Sequence, residues 1–145
     1  MSPANKPLYV TVVTPDGPVR LKGKEEDDKA ILLNQPATRV ILPLFDGYMG
    51  VESLHTSTIA KLGFGILEIQ NANQKMAIYL DGGVVQIKNN HISVLASSAR
   101  TVRQLNKTQL EQELEKSGSS KSLAAQIHKE KLRMQLRLLA QSTSK

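Results

Sequence analysis

The chain has 145 residues, 40% of them apolar, with a formal charge of +6 and no cysteine. That length fits one ordinary domain, or a small domain with an appendage. The lack of cysteine excludes disulfides and thiolate metal sites, and no run approaches the ~20 apolar residues of a membrane-spanning helix.

The first seven residues have no apolar stretch of the secretory type, so a soluble or peripheral protein is expected. Aromatics are only 3%, so the core must be built from Val, Ile and Leu. Residues 1–99 hold nine Lys/Arg and nine Asp/Glu and sum to zero. Residues 100–145 hold ten Lys/Arg and four Glu and carry the whole excess. Such asymmetry suits either an arm that meets an acidic partner or a solvated basic helix face.

The first two-thirds reads as strands. Runs rich in Val and Ile recur at 8–14, 19–21, 30–33, 38–42, 58–62, 65–70, 76–80, 84–88 and 91–97. Turn residues separate them: Pro15-Asp16-Gly17, Asp81-Gly82-Gly83, and Asn89-Asn90, which suits a two-residue hairpin because Asn tolerates left-handed backbone. Many short strands at this spacing predict a β-sandwich or barrel. Residues 22–29 (KGKEEDDK) read as an exposed loop.

Composition changes near Arg100, where Leu, Gln, Glu, Lys and Ala take over. These are helix formers. Ser117-Gly118-Ser119-Ser120 predicts a break, with Gly118 ending one helix and Ser119 or Ser120 capping the next. An α-helical hairpin over 106–116 and 121–141 is expected. At about 100° per residue, Leu123, Ile127, Met134 and Leu138 share one face of the second helix, and Leu132, Leu136 and Leu139 lie nearly opposite. Lys129, Arg133 and Arg137 form a basic ridge between them. Two apolar stripes exceed what a lone hairpin needs, so the arm is expected to dock on more than one surface or to change surfaces.

No chemistry emerges. His55, His91 and His128 lie far apart, and no pair has zinc spacing. There is no nucleophile elbow, P-loop or dinucleotide fingerprint. An enzyme is not expected. Single-stranded nucleic acid would need stacking platforms among basic residues. Tyr9, Phe45, Tyr48, Phe64 and Tyr79 do not alternate with such a cluster, so no nucleic-acid partner is expected.

The stretch from Asp46 to Leu67 resembles the epsilon subunit of F-type ATP synthase, the counterpart of the mitochondrial delta subunit. The family pattern is Gly-x-x-Gly-Ile/Val, a His four residues later, then Leu-x-x-Gly-x-Leu. Gly47, Gly50, Val51, His55, Leu62, Gly65 and Leu67 stand at those positions. Leu80 to Ile87, and Asn90 through Val94-Leu95-Ala96, resemble a second family block. Val13-Thr14-Pro15 and Val40-Ile41-Leu42-Pro43 match two earlier strand ends.

The resemblance implies a β-sandwich of about ten strands over 1–99, the assembly domain. A two-helix regulatory arm over 100–145 would follow it. It implies a non-catalytic rotor-stalk subunit that binds gamma and the ring of c subunits, without inserting into the membrane. Its place would be the cytoplasmic face of the energy-transducing inner membrane. The arm can restrain ATP hydrolysis in relatives. The ring-facing loop maps to Asp46, Tyr48 and His55, although relatives often carry an acid at the Tyr48 position and Pro-Gly where Ser53-Leu54 stands. Relatives that bind ATP open the first helix as Ile/Leu-Asp-x-x-Arg-Ala. Here Asn106 and Gln109 replace the carboxylate and the guanidinium, so no useful ATP affinity and no cofactor are expected. Catalytic beta subunits present an acidic loop that Lys129, Arg133 and Arg137 would meet through charge-assisted bonds. The alternative is a free-standing adaptor whose arm binds another acidic or helical protein.

Overall fold

The computed structural model describes residues 7–15, 17–18, 37–71, 75–102 and 105–143. The described strands are β1 Tyr9–Thr14, β2 Gly17–Pro18, β3 Arg39–Leu44, β4 Gly47–Val51, β5 Thr58–Gln70, β6 Lys75–Lys88 and β7 His91–Thr101. Helices α1 Lys107–Lys116 and α2 Leu123–Thr143 follow. The strands form one hydrogen-bonded sheet in the order β2-β1-β7-β6-β5-β3-β4. The pairing of β1 with β7 is parallel, and the other pairs are antiparallel. The runs expected at 19–21 and 30–33, and the 22–29 loop, lie outside the described residues.

Several expected strands are halves of longer ones. Runs 58–62 and 65–70 fuse into β5, and runs 76–80 and 84–88 fuse into β6. Asp81-Gly82-Gly83 therefore bends a strand instead of reversing the chain. Leu62 pairs with Gly83 and Gly83 with Ala96; beyond Gly63, Gly82 and Ser97, Phe64 pairs with Asp81 and Asp81 with Ser98. The register is kept across this row, but the buried parity flips. On β5 the buried set moves from Leu62 to Gly65, Leu67 and Ile69. On β6 it moves from Ile78 and Leu80 to Val85 and Ile87, and on β7 from Ile92, Val94 and Ala96 to Ala99. Strand side chains alternate between faces, so a flip shared by three neighbouring strands marks a line where the sheet bends.

Core residues from both sides of that line, among them Leu67, Ile69, Leu80, Val85, Ile87 and Val94, belong to one buried cluster. The sheet thus folds over itself into a two-layer sandwich. Its open end is closed by Leu8 and Ala37, which exchange backbone bonds of 3.0 and 2.8 Å. Seven strands lie among the described residues, and β5, β6 and β7 each serve both layers. β4 has no counterpart among the expected strands. Its sequence GYMGV has one β-branched residue, and pairing with β3 rather than intrinsic propensity extends it.

The Asn89-Asn90 hairpin is present, with φ of 52° and 61°. In the arm, Asn106 caps α1 by accepting from the Gln109 amide at 3.1 Å, and Gly118 follows its end at φ 50°. The second helix is capped by Ser122, not by Ser119 or Ser120. Its Oγ accepts from the Ala125 amide at 3.1 Å. Only a serine immediately before the first turn reaches that amide, so α2 starts two residues later than expected.

Candidate functional site

Three surfaces carry exposed or charged side chains that the fold holds in place. The first is the rim formed by the β3–β4 turn and the loop after β4. Asp46 is exposed in that turn, which is anchored by the Phe45 amide donating to the Lys61 carbonyl at 3.0 Å. Tyr48 lies across the bent strand β5, and its hydroxyl accepts from the Ile66 amide at 3.3 Å. A Cβ on Gly65 would meet that hydroxyl at 2.6 Å, so the glycine makes room for the ring.

His55 belongs to the loop beyond the far end of β4. Its Nδ1 donates to the Thr56 carbonyl at 2.8 Å. The same loop is tied to the β6–β7 turn, where Asn90 Oδ1 accepts from the Leu54 amide at 2.8 Å. The three expected rim residues therefore divide: Asp46 and Tyr48 lie beside the bend, and β4 separates them from His55. Phe45 and Leu54, 66% and 56% exposed, add apolar surface to the two places.

The second surface is the outer face of the layer that precedes the bend in β5. Val84 pairs with Leu95 and Lys61, and Leu95 with Val13. Ile59, two residues from Lys61 on the same face, is 75% exposed. Ile59, Val84 and Leu95 make an apolar stripe on a face that the alternation rule reserves for polar residues. Sequence reasoning missed it. The available signal was Val84 beside Val85, two apolar neighbours where a half-buried strand alternates.

The third surface is the arm. The expected basic ridge is put to several uses. Lys129 Nζ donates to the Gly118 and Ser120 carbonyls at 2.6 and 3.4 Å, stapling α2 to the end of α1. Arg133 lies 3.7 Å from Glu130, and Arg137 is exposed. Of the expected packing residues, Leu132 and Leu138 are buried, and Met134, Leu136 and Leu139 are half-buried. Leu123 and Ile127 remain exposed.

Where α2 crosses β5 and β6, Lys131 is the contact that stands out. Its Nζ lies 3.0 Å from Asp81 Oδ2 and 5.3 Å from the centre of the Phe64 ring. Phe64 and Asp81 are cross-strand partners in the row just past the bend. Tyr79 stands on the same outward face, outside the sandwich core, yet it is only 3% exposed. Its hydroxyl has no hydrogen-bond partner among the described residues. Burial, and then the Asp81 carboxylate, push its pKa up, while the Gln135 amide works the other way from a geometry short of a hydrogen bond. A cavity of about 380 Å³ opens beside it, lined by Ser98, Arg100, Gln109, Glu113 and His128 among others. Asn106 and Gln109, the uncharged replacements noted in the sequence, both line this cavity.

The family model described as the β-sandwich domain of the ATP synthase delta/epsilon chain matches residues 27–102, just over half of the chain. Among curated relatives, the ATP synthase epsilon chain of Pelagibacter ubique is 34% identical over 83 residues, 57% of this chain and 64% of that protein. The chloroplastic epsilon chain of Tupiella akineta is 30% identical over 105 residues, 72% of this chain and 71% of that one. The match to the Symbiobacterium thermophilum epsilon chain spans 58% of its length, so the alignments leave a third or more of several relatives uncovered. Among solved structures, a chain of the Euglena gracilis mitochondrial ATP synthase (OSCP/F1/c-ring, rotational state 1) superposes with a TM-score of 0.64 at 20% identity, covering 94% of this chain and 81% of that one. A chain of the Tetrahymena thermophila mitochondrial ATP synthase central stalk/c-ring gives 0.52 at 14%, covering 96% and 98%. These two likenesses establish the fold, arm included. With a family model matching over half its length, the chain belongs to the ATP synthase delta/epsilon chain family.

Proposed function

We propose that this chain is a non-catalytic central-stalk subunit of a proton-translocating F-type ATP synthase, with residues 1–99 as the assembly unit and residues 100–145 as a regulatory arm. The observation that carries the reading is the family match over 27–102. It is supported by the fold shared with chains of assemblies described as F1/c-ring and central stalk/c-ring. The rim residues Asp46, Tyr48 and His55 are the candidates for the c ring. The stripe Ile59, Val84 and Leu95 is the candidate surface for gamma, because a contiguous exposed apolar face is a feature of interaction sites. The subunit then sits peripherally, on the cytoplasmic face of an energy-transducing inner membrane, and its arm restrains hydrolysis through Arg133 and Arg137 against acidic groups of the beta subunits.

Co-purification with gamma and the c ring, with and without residues 100–145, tests this. Both forms should assemble. Failure of the full chain to bind either partner refutes the stalk assignment, and assembly lost only on removing the arm refutes the division of labour.

A further inference from the structure

We propose that the arm is held on the sandwich by a single-lysine latch, Lys131 gripped by Asp81 and Phe64, working against a built-in counter-force, the unpartnered hydroxyl of Tyr79. The latch is a property of the chain itself; its bearing on hydrolysis rests on the function proposed above.

The sequence of α2 sets up the latch. Position 131 fills the helical slot between Ile127 and Met134, so a lysine interrupts an otherwise apolar stripe. An exposed lysine would gain nothing there. Here it meets a carboxylate at 3.0 Å and an aromatic face at 5.3 Å, and both side chains of the ion pair are about two-thirds covered. Asp81 and Phe64 reach it because the bend at Gly63 and Gly82 turns them away from the core. The same geometry that folds the sheet thus presents the receptor for the arm.

Leu110, Leu132 and Leu138 are the buried apolar residues of the hairpin. A cavity of about 380 Å³ with polar walls separates the hairpin from the sheet. Tyr79 is buried without a bond for its hydroxyl. A buried unmade hydrogen bond penalises the docked state, and water satisfies the group once the arm leaves. The charge adds to the hold on the arm, and the orphan hydroxyl opposes it.

The full chain has no cysteine, so two can be introduced at exposed positions, Lys88→Cys and Lys121→Cys, and their separation read by energy transfer or dipolar spectroscopy. Lys131→Gln should shift the population toward the released arm about fivefold, the combined scale of a partly exposed ion pair and a cation–π contact, and Asp81→Asn, which keeps the cation–π contact, should shift it less. Lys131→Arg, and the exchange Asp81→Lys with Lys131→Asp, should restore docking. Tyr79→Phe should shift it the other way. An unchanged distance distribution in Lys131→Gln, or an exchange that fails to restore docking, overturns the latch. A Tyr79→Phe chain that docks no better overturns the counter-force. Failure of the proposed function would appear instead in the hydrolysis rate of the assembled enzyme, and would leave these distances unaltered.

Discussion

The backbone amide of Leu54 donates to the side chain of Asn90 at 2.8 Å. This bond joins the loop that carries His55 to the turn between β6 and β7. Asn90 therefore does two jobs. Its left-handed backbone closes the hairpin, and its amide, which also approaches Ser53 Oγ at 3.5 Å, positions the rim. Its carbonyl in turn accepts from the Tyr9 amide at 2.9 Å, so three segments meet at one residue.

The two jobs separate by substitution. Asn90→Gly keeps the turn and loses the acceptor, at a cost of about 1 kcal/mol. Asn90→Ala keeps a Cβ in the left-handed conformation but loses the local bonding of the amide that lets asparagine tolerate it, and should cost about 1–2 kcal/mol more than the glycine variant. Urea unfolding measures the difference. In both variants the Leu54 amide should exchange faster with solvent, whereas the β6–β7 ladder should loosen only in the alanine variant.

The bend makes a sharper demand. A Cβ on Gly83 would lie 2.0 Å from the Leu95 carbonyl oxygen and 2.8 Å from Ala96 Cα, at φ 116°. Both atoms are backbone and cannot step aside. Gly83→Ala should cost about 3 kcal/mol or more or abolish folding, combining overlap with strain. Gly47→Ala is the comparison. It shares a positive φ, 136°, but has open space around it, so only the backbone strain, about 1–3 kcal/mol, is expected. Equal unfolding midpoints for the two variants would refute the close approach.

These glycines show what the sequence can and cannot tell. Asn89-Asn90 is readable because asparagine tolerates the left-handed backbone that a two-residue hairpin needs. The hairpin of the arm is readable because caps and breakers are local. Asp81-Gly82-Gly83 is not, since the same tripeptide serves a reversal or a bend, and the choice is made by β5 and β7 pairing on either side. The basic ridge illustrates the same limit. Spacing places Lys129, Arg133 and Arg137 along one side of α2, but not that Lys129 is engaged by the carbonyls of Gly118 and Ser120. Lys131 escaped notice because its partners, Asp81 and Phe64, stand on distant strands.

Tyr79 gives a pH signature. Burial holds its pKa well above the ordinary 10.0. Below that value both folded and unfolded chains keep the phenolic proton, and stability is unaffected. Above it the unfolded chain releases the proton first, so stability falls as pH rises from about 10 toward the raised folded value. Tyr79→Phe should remove this part of the alkaline loss. At neutral pH it should stabilise by about 1 kcal/mol, since no bond is broken and an unsatisfied group is removed. Urea unfolding of both chains across pH 8–11 checks the sign. A variant less stable at neutral pH would mean that the hydroxyl has a partner.

The arm's cations should not act alike in the assembled enzyme. Arg137 is exposed, and among the described residues Arg133 has a 3.7 Å partner one helical turn away, Glu130, an exposed pairing worth a few tenths of a kcal/mol. Both are available to an acidic partner. Lys129 is not, because its 2.6 Å bond to the Gly118 carbonyl is part of the hairpin turn. Arg133→Glu with Arg137→Glu should therefore raise ATP hydrolysis by the reconstituted complex without loss of helix content. The increase should be largest at low ionic strength and fade near 1 M salt, where charges are screened within about 3 Å. Lys129→Glu should instead loosen the hairpin, seen as reduced helicity in the isolated chain. If the double arginine variant leaves hydrolysis unchanged at low salt, the ridge is a solvated face and the arm's restraint, where it exists, is exerted through packing.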